Sequence, residues 1–69
     1  MEILMIIEND PIDGEDQFQK RLRSSFVPFV DEEISFVEGC FKVKKVRWVF
    51  TLDPNERYVK LTVDRIRGW

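Results

Sequence analysis

The chain has 69 residues, and 13 acids against 11 bases give it a net charge of −2. That length allows one domain, spanning residues 1–69, with a thin core worth about 3–5 kcal/mol on its own. One cysteine and no histidine exclude an intrachain disulfide and a Cys/His zinc site, and they remove the commonest general base.

Residues 2–8 read as a strand. Ile3, Leu4, Met5, Ile6 and Ile7 are apolar on both parities, so both faces are expected to be covered. The run is too short for a membrane helix, which needs about 20 apolar residues, and acidic Glu2 does not suit a signal peptide. Asn9-Asp10-Pro11-Ile12-Asp13-Gly14 carries turn chemistry. Residues 15–26 admit two readings. As a helix, Phe18, Leu22 and Phe26 share a face at i, i+4, i+8, with acids in the first turn and bases in the last. As a strand, the same three residues lie on one parity. The preceding turn favours a hairpin partner for the first strand, so strand is taken, and a helix at 14–25 in an α+β fold is the alternative.

Pro28 breaks any helix there. Glu33–Val37 reads as a short strand, Glu38-Gly39 as a tight turn and Cys40–Leu52 as a long strand. Asp53-Pro54-Asn55-Glu56 is a turn with proline in its favoured place, and Arg57–Ile66 is the last strand. Closing that turn at Asp53 and Glu56 sets Phe50 opposite Val59, Trp48 opposite Leu61 and Val46 opposite Val63. Val49, Arg47 and Lys45 then fall with Lys60, Thr62 and Asp64 on the other side. One face is apolar and one polar, as a half-buried antiparallel pair requires. Trp48 is therefore expected in the core. Pairing Val37 with Cys40 sets Phe36 opposite Phe41, Ile34 opposite Val43 and Glu33 opposite Lys44; a three-residue loop with Gly39 left-handed would shift this register. Apolar parity switches from odd (Phe41, Val43) to even (Val46, Trp48, Phe50) at Lys44-Lys45, which predicts a β-bulge. The expected fold is all-β: a small antiparallel meander curled into an SH3-like or open barrel.

The stretch Val27-Pro28-Phe29-Val30-Asp31-Glu32-Glu33-Ile34, then Gly39, then Phe41-Lys42-Val43-Lys44-Lys45-Val46-Arg47-Trp48 resembles short uncharacterised bacterial and phage proteins with an SH3-like small β-barrel. The resemblance covers roughly residues 27–50. Asp31-Glu32 stands where those proteins usually carry Gly-Asp/Glu. The resemblance implies a packing pattern and no catalytic residue.

Hydrophobic residues at 43% and aromatics at 13% argue for a real core. The lone Cys40 fits a reducing compartment, so the cytoplasm is expected by elimination; the thiol itself reads as a small hydrophobe at a strand start. No enzyme is expected. Lys44-Lys45 has no phosphate-loop glycines before it. The acids Glu8, Asp10, Asp13, Glu15 and Asp16 fit no calcium-loop spacing and read as a solvated turn. Neither metal nor cofactor is expected.

Residues 1–40 carry ten acids and three bases, and residues 41–69 carry eight bases and three acids. Acid–base pairing between strands accounts for much of this split. The leading expectation is a non-enzymatic interaction domain that binds a protein partner or itself, with no membrane role. The alternative is a barrel that holds single-stranded nucleic acid on a basic strand face, its cations tracking phosphates and Tyr58 stacking on a base. The candidate face comprises Lys42, Arg47, Val49, Tyr58, Lys60 and Trp69; Trp69 either caps the barrel's open end or docks on a neighbour.

Overall fold

A computed structural model describes residues 2–9, 17–53 and 57–66. Five strands form one sheet, and the described residues contain no helix: β1 (Ile3–Asn9), β2 (Gln19–Ser24), β3 (Glu33–Phe36), β4 (Gly39–Val49) and β5 (Tyr58–Arg65). The strand order is β2-β1-β5-β4-β3. β1–β2, β3–β4 and β4–β5 pair antiparallel, while β1 and β5 pair parallel. The fold is thus all-β, a curled half-barrel, and its mixed sheet departs from a pure meander. An N-terminal hairpin has joined a C-terminal meander along β5.

Residues 19–24 are strand, not helix, because alternation across the β1 ladder buries one parity. Leu22 lies opposite Met5 and Lys20 opposite Ile7, on the concave side, while Arg21 and Arg23 point outward. Met5, Ile7, Phe18, Phe41, Val43, Val59, Leu61 and Val63 form the core. All are supplied by inward-facing strand positions except Phe18, which precedes β2.

The bulge falls where the parity switches. Val43 lies opposite Val63, and the register shifts before Lys45 meets Thr62. The extra residue lets Phe41 and Val43 below the bulge, and Val46 and Trp48 above it, face the same side.

Both expected registers are displaced by two residues. Trp48, not Phe50, lies opposite Val59; Val46 lies opposite Leu61. β4 ends at Val49 and β5 begins at Tyr58; the turn expected at 53–56 lies, but for Asp53, outside the described residues. In the other hairpin Phe36 pairs with Gly39, Ile34 with Phe41 and Glu33 with Lys42, so the turn residues are Val37 and Glu38. Lys44 instead meets Asp64 at 3.5 Å. A two-residue slip leaves every side chain on its own face, so hydrophobic sorting could not detect it.

β2 and β3 lie at opposite edges, so residues 25–32 cross the open side of the half-barrel as a strap. At one end the edges meet through side chains. Phe18 stacks on Phe41 (ring centroids 4.4 Å apart) and on Phe36 (6.0 Å), and Lys20 pairs with Glu38 at 3.0 Å. The Arg65 guanidinium lies over the Phe41 ring and donates to the Glu38 carbonyl at 3.0 Å. Buried Asn9 ties the hairpin down, its Oδ1 accepting the Phe18 N–H at 2.6 Å. The other end, around Trp48, has no such closure among the described residues.

Candidate functional site

The ladders fix which side chains lie in line across the convex face. One line runs Arg23, Leu4, Tyr58, Val49; the next runs Arg21, Ile6, Lys60, Arg47; a third runs Gln19, Glu8, Thr62, Lys45. Four of the expected residues, Arg47, Val49, Tyr58 and Lys60, are therefore adjacent. Lys42 is not with them. It lies opposite Glu33 and Asp64, with Nζ 3.9 Å from an Asp31 oxygen, so it belongs to an acid–base cluster. Trp69 lies outside the described residues, as do Asp10, Asp13, Glu15 and Asp16.

Arg21 and Arg23 were not anticipated on this face. Their odd-number spacing was a sufficient signal once residues 19–24 are a strand, but only the β1–β2 register shows that they extend the Lys60–Arg47 line. Arg47 directly opposite Lys60 is a like-charge pair, unfavourable by itself. Glu8 offsets it by accepting a 2.7 Å bond from Lys60 Nζ. That hydrogen bond holds the Glu8 carboxyl below its ordinary pKa. A shallow depression of about 180 Å³ lies between Glu8, Lys45, Arg47, Lys60 and Thr62.

The second surface is apolar. Val27, Pro28, Phe29 and Val30 of the strap face Val46 and Trp48 of β4 across a groove of about 270 Å³. Trp48 points to the concave side as its register requires, yet it is 50% exposed, which corrects its expected place in the core. It stands at the splayed end, where no strand of the described residues closes over it. Its ring stacks on Phe50 (centroids 6.5 Å apart, planes at 13°), itself 69% exposed, and Phe29 is 77% exposed. Phe29 and Val30 were missed as surface groups, because a strap and a core strand look alike in an apolar run.

Asp31 explains why the groove stays open. Its φ of +76° lies in the left-handed region, and Glu32 N–H closes a turn on the Phe29 carbonyl at 3.1 Å. Asp31 and Glu32 bond to Val43, extending β3 along β4 by one step. The chain then turns off β4, and no strand of the described residues lies beside Val46 and Trp48.

Cys40 is buried with Sγ 2.9 Å from Ser35 Oγ. Among the described residues, no three of His, Cys, Asp and Glu come together as metal ligands, and no helix is long and apolar enough to cross a membrane. No known family model, curated protein or solved structure matches the chain.

Proposed function

We propose that this chain is a non-enzymatic interaction domain that receives a protein partner, or a second copy, in the groove between the strap and β4. The exposed Trp48–Phe50 stack beside Phe29 supports this reading most directly. Large aromatics at a water-accessible concave site are the usual anchors of protein interfaces. The curled half-barrel suits the open-barrel form of the expected fold, and the single thiol suits a reducing cytoplasm. A photo-crosslinking residue at Phe29 or Phe50 tests it in the native cell. An adduct lost on Trp48→Ser supports the reading, and an adduct of twice the chain mass makes it self-association. Adducts only from position 23 on the convex face would overturn it.

The Arg21–Lys60–Arg47 line with Tyr58 beside it favours a second reading, single-stranded nucleic acid on the convex face. Binding of a single-stranded oligonucleotide that shifts the Tyr58 and Lys60 amides and falls steeply with salt supports it. Salt-insensitive or absent binding sinks it.

A further inference from the structure

β4 is longer than the strand that covers it. β3 pairs with Gly39–Lys42, and Asp31 and Glu32 add bonds to Val43. From Lys44 to Val49, β4 pairs with β5 alone, and no backbone bond from another described residue reaches its other side. The apolar groove lies beside this bare edge. We infer that β4 from Lys44 to Val49 accepts an extended peptide as an added strand, with apolar and acidic side chains in alternation; this rests on the groove reading above.

The added strand takes the place that β3 would occupy had the chain not turned at Asp31. Every second side chain of such a strand falls on the concave side, against Val46, Trp48 and Phe29. The others fall on the convex side beside Lys45 and Arg47. Neither of those two has an ion-pair partner among the described residues, whereas Lys44 is joined to Asp64. Main-chain bonds supply affinity in this mode, and alternate pockets supply selectivity. Charge also decides against a second copy at this edge. Antiparallel pairing of β4 with itself about Val46, with matching faces together, would set Lys45 opposite Arg47 twice, and directly opposed like charges are unfavourable.

The test is an amide-resolved NMR titration of the full chain with the peptide acetyl-Glu-Val-Glu-Phe-Glu-Val-Glu-amide. A second peptide carries lysine at every glutamate, and two more carry N-methyl groups on the odd or the even residues. The expected result is shifts confined to Lys44–Val49 and the strap. The lysine peptide should bind about tenfold more weakly, the scale of two exposed ion pairs. One N-methyl series should lose binding while the other keeps it, because only one parity of a strand faces its neighbour. Lys45→Glu with Arg47→Glu, both exposed, should reverse the charge preference. Equal binding of the two N-methyl peptides would overturn strand addition and leave the groove reading intact. No shift at Lys44–Val49 with any peptide would also overturn it, while crosslinks from positions 29 and 50 judge the groove independently.

Discussion

Gly39 shows how one residue sets a local geometry. Its φ is +145°, which side-chain-bearing residues rarely adopt, and a Cβ there would lie 2.7 Å from Arg65 Nη1. Gly39→Ala should therefore strain the backbone and displace the guanidinium from the Phe41 ring and the Glu38 carbonyl. A loss of about 1–3 kcal/mol is expected in urea unfolding, with a further sign in the Phe41 ring resonances. Glu8 offers a different handle. Its carboxyl titrates below its ordinary value of 4.5 because it accepts the Lys60 hydrogen bond. A depressed folded-state pKa adds stability above the unfolded value, and that stability is lost as pH falls through the folded value. Unfolding midpoints measured between pH 6 and pH 3 should thus fall less steeply in Glu8→Gln than in the parent. Equal slopes would mean that the Glu8–Lys60 bond contributes nothing in solution.

β4 is the element in which sequence pattern and shape are most tightly joined. Its parity switch at Lys44-Lys45 was legible because a bulge is the cheapest way to keep Phe41, Val43, Val46 and Trp48 on one side. Deleting Lys44 should restore plain alternation, so the shortened chain is expected to fold with a straighter β4 and a lower melting temperature. Deleting Lys42 puts Phe41 and Val43 on opposite faces, and its amide spectrum should collapse to unfolded dispersion. The strands themselves were legible from alternation, and the convex residues Arg47, Val49, Tyr58 and Lys60 were correctly grouped. The registers were not legible, since a shift of two preserves every face. Trp48 was misplaced for a related reason. Its neighbours Val46 and Val59 show which way it points, but whether anything covers it depends on how far the sheet closes.

At the scale of the molecule, the half-barrel closes at one end by side chains alone. Phe18, Phe36 and Phe41 bridge edges that share no ladder, with Lys20–Glu38 outside them. Phe41 is fully buried at this junction. Phe41→Ala should cost about 3–5 kcal/mol, as much as a domain of this size has to lose. Circular dichroism melting of that variant is expected to show no cooperative transition. A sharp transition would place the main stability elsewhere.

The parallel β1–β5 pairing also governs the order of assembly. β5 is the middle strand of the sheet and the last of the five in the chain. Leu4 must wait for Tyr58, and Asn9 for Val63. During synthesis the β1–β2 hairpin and the β3–β4 hairpin emerge with no neighbour between them, and an isolated hairpin is at best marginally stable in water. The nascent chain therefore gains a core only once β5 has left the ribosome, and folding is abrupt and dominated by distant contacts.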